Sequence, residues 1–493
     1  MFFVHWQFIP KLNAIKDSIL NSMEIVHISA ECYPVAKAGG LGDVVGALPK
    51  YQSKAGHIAK VVMPMYQTKF LYNHEWVVDF NGSAKLGDSV FEYTIIKEKT
   101  NSLGFDLYLV DIKGLLDREK IYGYDDDTER FTGFQIAVVS WMASWEHHPD
   151  IVHCHDHHAG LVPFMMKHCF NYRHLSRVST VFTIHNGQYQ GWMDWSQSKL
   201  IPAWDDWKTG LLEWGGSINP MAAAIKCADK VTTVSQSYME ELLYDANGLE
   251  ALFENERGKC VGILNGIDNE IWNPHTDTYL DNHFAVKTVT KGKKANKDLL
   301  CEKYGLDKEK PLFVFIGRLV GEKAAEILPG SITRAIHETG GAASFLILGT
   351  GQTDIEWSLQ QMTSQFPGLY NAYIGYNEAL SHLIYAGADF LLMPSKVEPC
   401  GLNQMYAMRY GTVPVVRSTG GLKDTVVDMG EADGYGIRFN HASESDLVYA
   451  INRGVSVFKD SNHMEKMRKH MMQIDNSWEA TVQKYISVYQ LIL

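Results

Sequence analysis

Residues 389–428 read DFLLMPSKVEPCGLNQMYAMRYGTVPVVRSTGGLKDTVVD. The apolar run Phe390–Met393, stopped by Pro394, has the pattern of a strand buried on both faces of a parallel sheet. Glu398 follows just past the strand's end. Over 402–410 the apolar residues Leu402, Met405, Tyr406 and Met408 fall mostly on one side of a helix, and Gly411 is placed to end it. The next strand spans 413–416, and Thr419-Gly420-Gly421 opens the next helix. This is β-α-β-α order with both special loops at the carboxyl ends of strands, where open α/β sheets bind ligands.

The two loops carry complementary chemistry. A double glycine at a helix start lets backbone N–H groups approach a phosphate, and the helix dipole favours an anion there. The same pair, alone, also makes an ordinary turn. Glu398 is an acceptor-only group suited to sugar hydroxyls, although a loop glutamate is commonly a solvated charge. Placed one helix apart at adjacent strand ends, the two features together favour a nucleotide-sugar site.

The stretch 394–426, PSKVEPCGLNQMYAMRYGTVPVVRSTGGLKDTV, closely resembles the C-terminal signature of bacterial-type glycogen synthases and plant starch synthases. That resemblance implies a retaining glucosyltransferase of the GT-B architecture. Its fold class would be α/β, with two Rossmann-like, doubly wound domains facing each other across a deep cleft. The resemblance extends over about 23–493, with five matched motifs in order.

Working outward, 24–29 is the first strand. Its loop contains Lys37, Gly39, Gly40 and Asp43 in the pattern KxGGL. A lysine beside two glycines at a strand-to-helix turn offers an anion a point charge and bare backbone N–H groups, while a plain glycine turn would look the same. The resemblance implies that Lys37, Gly39 and Gly40 lie at the nucleotide-sugar phosphates and that Asp43 lines the cleft. Strands at 60–64, 91–96 and 105–110 follow. Asp125, Asp126 and Asp127 read as a solvated loop. A helix is predicted over 131–145 and a strand over 150–154.

That strand ends in His155-Asp156-His157-His158. Alternate strand residues face opposite ways, so these side chains cannot all converge on one ion, and no metal is expected. The family pattern here is HDxHAGL. It implies a cleft position and a catalytic role for Asp156, and a packing or capping role for His158. His157 departs from the tryptophan common at its position. The strand at 178–184 leads into IHNGQYQG, similar to the family's THNxxYQG. The resemblance implies that His185 is catalytic, with its side chain on a donor-sugar hydroxyl and its carbonyl near the anomeric carbon. The Trp-rich 192–215 would form a flap over the acceptor groove. GILNGID at 262–268 makes Asn265 a sugar ligand by the same resemblance.

In the second half, the strand at 312–316 ends in GRLVGEKA, similar to the family's GRLxxQKG. There Arg318 and Lys323 would neutralise the diphosphate as catalytic groups. Glu322 and Ala324 depart from the family's glutamine and glycine, and the acid beside Lys323 is expected to weaken its field. The resemblance places Tyr376 by the nucleotide base. It assigns the catalytic contact on the sugar's hydroxyls to Glu398, helped by the amides of Cys400 and Gly401, and puts Thr419, Gly420 and Gly421 at the nucleotide sugar. Many related enzymes carry a second glutamate eight positions after the first; here Tyr406 stands there.

The organisation expected is an extension at 1–22, an N-terminal acceptor-side domain at 23–275, a polar, lysine-rich linker at 276–310, a C-terminal nucleotide-sugar domain at 311–477, and a helix at 478–493 crossing back to the first domain. At 493 residues, 46% hydrophobic and 21% charged, the chain suits two soluble domains. With 45 basic against 57 acidic residues its formal charge is −12, which disfavours nucleic acid as a partner. Seven scattered cysteines without a CxxC pair fit a reducing cytoplasm. No apolar run is long enough to span a membrane.

The expected activity is transfer of glucose from ADP-glucose to the non-reducing end of an α-1,4-glucan such as glycogen. No cofactor is expected. UDP-glucose is the alternative donor. A non-catalytic glucan-binding protein would not need the phosphate cations, and a phosphorylase would need a lysine for pyridoxal phosphate, for which no convincing motif is present.

Overall fold

The computed structural model describes residues 22–493. The extension expected at 1–22 therefore lies, apart from Ser22, outside the described residues. The chain forms two compact units. The first comprises the described residues up to Thr233, Glu241–Ile263 and Val482–Leu493; the second comprises Val234–Glu240 and Leu264–Thr481.

The first unit holds β1 (Glu24–Ile28), β2 (Ile58–Pro64), β3 (Trp76–Leu86), β4 (Ser89–Glu98), β5 (Asp106–Asp111), β6 (Ile151–His155), β7 (Ser179–Ile184), β8 (Glu213–Trp214), β9 (Ser217–Ile218), β10 (Lys230–Thr233) and β11 (Cys260–Gly262). Nine of these make one sheet in the order β11-β10-β7-β6-β1-β2-β5-β4-β3. Pairing is parallel from β11 to β5, and β4 and β3 add on antiparallel. The parallel part starts at β1, grows one way through β2 and β5, then the other way through β6, β7, β10 and β11. The strand order therefore reverses between β1 and β6, and ligands of open α/β sheets bind at such a reversal.

The second unit holds β12 (Leu312–Leu319), β13 (Ser344–Gly351), β14 (Tyr370–Ile374), β15 (Phe390–Met393), β16 (Val413–Arg417) and β17 (Ile437–Phe439). All pair in parallel, in the order β14-β13-β12-β15-β16-β17. Counted within the unit this is 3-2-1-4-5-6, the dinucleotide-fold order, with its reversal between β12 and β15. The strands are apolar on both faces because both faces are covered. Phe313, Phe315, Phe345, Ile347, Phe390 and Leu392 enter one core cluster. Their alternates Leu312, Val314, Leu346, Leu348, Leu391 and Met393 enter the other.

Several expectations change. The linker expected at 276–310 carries the helix Val289–Tyr304, capped by Gly305 at φ 63°, and belongs wholly to the second unit. Its lysines misled because two of them are buried structural donors. Lys293 Nζ donates to the carbonyls of Tyr385, Ala386 and Tyr410 at 3.1 Å and to Thr412 Oγ1 at 2.7 Å. Lys297 and Arg468 bind the two oxygens of buried Asp389, each at 2.6 Å. The units divide at Ile263/Leu264 rather than near 275, so Asn265 falls in the second unit.

The helix expected over 131–145 is Asp127–Ala143. Of the three aspartates read as a solvated loop, Asp126 pairs with Arg118, and Asp127 starts the helix and pairs with the buried Arg130. The Trp-rich 192–215 contains the 3₁₀ turns Trp195–Leu200 and Asp206–Leu211 and leads into the β8–β9 hairpin. The C-terminal helix Trp478–Gln490 starts in the second unit and from Val482 belongs to the first.

Candidate active site

In the first unit, the loops after β1, β6 and β7 lie at the carboxyl ends of three adjacent strands. The β1 loop is organised by Glu31, which sequence reasoning missed. Its Oε2 accepts the N–H groups of Ala38 at 2.6 Å and Gly39 at 3.0 Å, and its Oε1 accepts the Tyr122 hydroxyl at 2.7 Å. The Gly39 amide expected at a phosphate is thus already bonded to a carboxylate. A buried acid two residues beyond the loop's first serine takes the nearest donors, and only the loop's contacts reveal it. Lys37 Nζ pairs with Asp43 at 2.7 Å, half exposed, beside the Tyr33 ring. Gly40 begins the helix Gly40–Lys54.

Asp156, directly after β6, is buried with φ 54° and ψ 178°, a backbone state that L residues adopt at a cost. Its Oδ1 accepts the backbone N–H of His185 at 2.8 Å. Burial pushes its carboxyl up to about 7, against the hydrogen bond from His185, and the Glu31 carboxylate adds to the rise. His185 follows β7, and burial holds its imidazole down at about 3. These two expected residues are brought together. His158 packs between Tyr122 and Phe131, and His157 lies against it at a ring distance of 3.7 Å. In the 155–158 run, His155 lies with His153, one strand alternation back, and their rings stack at 4.2 Å.

In the second unit, the loops after β12, β15 and β16 meet at the strand reversal. Lys323 Nζ pairs with Glu398 Oε2 at 2.6 Å, and Ser395 Oγ donates to the same oxygen at 2.8 Å. Arg318, mostly exposed at the end of β12, pairs with Glu322 at 3.1 Å. Glu322 was expected to weaken Lys323; instead its carboxylate is turned to Arg318, while its carbonyl accepts the Lys396 amide at 2.8 Å. Arg417 Nε binds the Ser395 carbonyl at 2.6 Å, tying the β16 and β15 loops together.

Gly420 has φ 43°, and a Cβ there would sit 2.1 Å from the Glu398 carbonyl; at Gly421 it would sit 2.0 Å from that of Cys400. The Gly421 N–H donates to the carbonyls of Glu398 and Pro399 at 3.1 and 3.2 Å. This amide, expected at the diphosphate, therefore joins two loops, and the double glycine is required by their close approach. Thr419 is the N-cap residue of that helix. Asn265 is buried, its Oδ1 without a protein partner, while its backbone faces the Cys400 thiol, which burial pushes up to about 12. A buried acceptor without a partner is uncommon in a folded protein. Gly401, at φ 73°, turns the chain into the helix Asn403–Arg409. Tyr376, past β14, leaves its ring exposed with its hydroxyl on Glu378. Tyr406, where a second glutamate is common, stacks on Trp272 at 3.8 Å.

The family model described as "Starch synthase catalytic domain" matches residues 24–255, and "Glycosyl transferases group 1" matches 310–456. A glycogen synthase of Flavobacterium johnsoniae is 51% identical over 471 residues, covering 96% of this chain and 99% of the relative. The chain belongs to the glycogen synthase and starch synthase family. Another member, the glycogen synthase of Geobacillus stearothermophilus, is 36% identical over 96% of this chain and 98% of its own. Among solved structures, the catalytic domain of Arabidopsis thaliana starch synthase IV, bound to ADP and acarbose, superposes with a TM-score of 0.84 at 31% identity, covering 96% and 99% of the two chains. A sucrose-phosphate synthase from Thermosynechococcus elongatus shares the fold at a TM-score of 0.61 and 17% identity. As a family member the chain is a glucosyltransferase of the GT-B architecture, with a nucleotide-sugar donor and a glucan acceptor. Among the described residues no helix is long and apolar enough to cross a membrane.

Proposed function

We propose that the chain transfers glucose from ADP-glucose to the non-reducing 4-OH of an α-1,4-glucan such as glycogen, in the cytoplasm and with retention at the anomeric carbon. The observation that carries this is the Lys323–Glu398 pair at the strand reversal of a 3-2-1-4-5-6 sheet. A cation and a sugar-hydroxyl acceptor stand there side by side, with Arg318 on the neighbouring loop. As the glucosyl–phosphate bond breaks, negative charge collects on the departing diphosphate. Lys323, Arg318 and Lys37 stabilise that charge, and such preorganised electrostatics act most strongly in the transition state. Donor binding draws Lys323 and Arg318 from their carboxylates to the phosphates. Glu398 then turns to the hydroxyls of the oxocarbenium-like sugar, with the amides of Cys400 and Gly401 beside it.

Asn265 offers its orphan Oδ1 to the donor sugar, and Tyr376 its exposed ring to the base. In the first unit, Asp156 fixes the backbone of His185, whose carbonyl faces the anomeric centre. This reading assigns no described side chain as a covalent nucleophile, so the leaving phosphate takes the acceptor's proton on the same face. Transfer of labelled glucose to glycogen from ADP-glucose and from UDP-glucose, compared at equal concentration, tests this. ADP-glucose is expected to be the faster donor by about tenfold or more; equal or faster use of UDP-glucose overturns the donor assignment, and no transfer from either overturns the activity.

A further inference from the structure

One face of the first unit's sheet is not apolar. His27 on β1, His153 and His155 on β6, Thr183 on β7 and Thr232 on β10 are all fully buried and lie together in the parallel register. Gln52, from the helix Gly40–Lys54, and Tyr489, from the C-terminal helix, close over them and are also fully buried. A buried polar group must find a partner, and here every one does.

With Gln52 Nε2 as the donor to Tyr489, the bonds follow one direction. Gln52 Nε2 donates to the Tyr489 hydroxyl at 2.9 Å, which leaves Gln52 Oε1 as the acceptor facing His27 Nε2 at 2.7 Å. His27 therefore carries its proton on Nε2. Its Nδ1 then accepts from His155 Nε2 at 2.9 Å, and His155 Nδ1 accepts from His185 Nε2 at 3.1 Å. On the other side of Gln52, Tyr489 donates to His153 Nδ1 at 2.8 Å, His153 Nε2 donates to Thr183 Oγ1 at 2.6 Å, and Thr183 meets Thr232 at 2.5 Å. Neutral rings are required for this order, because a charged imidazole donates from both nitrogens. Burial supplies the neutrality: it lowers His27 to about 4 and holds His153 and His155 well below the ordinary value.

His27, His153 and His155 also bring ring nitrogens within 4.8 Å of one another, as a metal site would. A metal needs lone pairs aimed at one point. Here His27 Nδ1 and His155 Nε2 face each other, and both nitrogens of His153 are taken by Tyr489 and Thr183. The geometry is that of a hydrogen-bond relay.

We propose that this relay fixes the tautomer and ring plane of His185, making His155, His27 and Gln52 positioning residues for glucosyl transfer. The proposal rests on the placement of His185 at the donor sugar. With its Nε2–H spent on His155, His185 keeps Nδ1 as an acceptor, so a sugar hydroxyl meeting that nitrogen must donate to it. The second ring nitrogen of a histidine is set by the bond the first one makes. The C-terminal helix takes part through Tyr489, whose hydroxyl accepts the Gln52 Nε2–H at 2.9 Å.

Gln52→Glu tests the order because it is able to reverse it. A carboxylate beside His27 favours the imidazolium, which then donates from Nδ1 to His155 Nε2. His155 in turn donates from Nδ1 to His185 Nε2, and His185 is left with its proton on Nδ1. The titratable groups facing this chain are His153, stacked on His27 and His155, Tyr485 and Tyr489 from the C-terminal helix, and Asp156 on the His185 backbone.

The experiment is nitrogen NMR of the full chain labelled with [15N]histidine, with His185 assigned from the signals lost in His185→Asn, alongside the pH profile of transfer to glycogen. In the wild type, His185 is expected on the Nε2–H tautomer across about pH 6 to 8. In Gln52→Glu, its proton moves to Nδ1 as pH falls, and kcat falls with it by about tenfold or more, while KM for ADP-glucose holds within about twofold. An Nδ1–H tautomer in the wild type overturns the proposal, and this result does not depend on the variant folding. So does a folded Gln52→Glu protein whose His27 becomes charged while His185 and kcat do not respond. If His185→Ala keeps full kcat, the donor-site role of His185 fails; the tautomer spectrum still decides the relay by itself.

Discussion

The two strand reversals share a topology and differ in electrostatics. In the second unit, between β12 and β15, the groups are charged and paired: Lys323 with Glu398, Arg318 with Glu322. In the first, between β1 and β6 and on to β7, burial lowers His27, His153, His155 and His185 and raises Asp156, and the one buried carboxylate of the β1 loop, Glu31, is spent on backbone amides and the Tyr122 hydroxyl. In the proposed reaction the second unit's sheet end supplies most of the charge for a leaving diphosphate, and the first unit's holds a ring and a backbone carbonyl still. Related strand orders thus support unlike chemistry, because the loops and the sheet face beneath them, and not the topology, set the local dielectric and charge.

Removing charge from the second reversal is expected to have the largest effect. Glu398→Ala and Lys323→Ala should each lower kcat/KM by at least about 100-fold with the fold retained, and the double variant should cost much less than the product of the two, since the side chains act as a pair. Steady-state transfer assays with a circular-dichroism check decide this; near-normal turnover in either single variant removes its role.

A change in the first reversal should separate activity from stability. The folded Asp156 carboxyl titrates near about 7 against an ordinary 3.8. The folded state therefore binds more protons than the unfolded chain between these values, and stability falls as pH rises through that window. Asp156→Asn removes the penalty. Its stability advantage, followed through the melting temperature, should be absent below about pH 4, grow with pH, and reach a few kcal/mol above about pH 7, while transfer falls. Parallel melting curves of the two proteins across pH would contradict the buried, raised carboxyl.

Smaller effects sharpen the charged side. Ala324 sits buried at φ 50°, where the family pattern has glycine. Ala324→Gly should raise stability by about 1 kcal/mol in a denaturant titration. Glu322→Gln frees Arg318 from an exposed ion pair, and should lower KM for the donor by about two- to fourfold with little change in kcat. An unchanged KM would mean that Glu322 does not hold Arg318 back.

These contrasts were unevenly legible in the chain. The strands and helix within 389–428 follow from short apolar runs stopped by Pro394 and Gly411, signals that are local. The pairing of strand ends was also legible, because topology follows from β-α-β order. Partners far apart in sequence were not. Gln52 and Tyr489 are 437 residues apart, and neither departs from the pattern of its own helix. Lys293 and Lys297 helped 276–310 read as a polar linker, because the carbonyls and carboxylate that satisfy them come from residues 385–412. Gly39 and Gly421 were recognised as places where backbone comes close, but the sequence does not say whether a phosphate or another loop is what approaches. Glu31 could have been suspected: an acid directly after a buried strand, before a glycine turn, has few neighbours except that turn's amides.

The division of labour between the two reversals is tested most directly by ADP affinity, measured by titration calorimetry at low ionic strength on wild type, Lys323→Ala and His185→Ala. Charge supplied from the second unit and orientation from the first predict that Lys323→Ala binds ADP at least about tenfold more weakly, with a flatter salt dependence, while His185→Ala binds it within about twofold of wild type. Equal losses in the two variants, or a larger loss in His185→Ala, would contradict it.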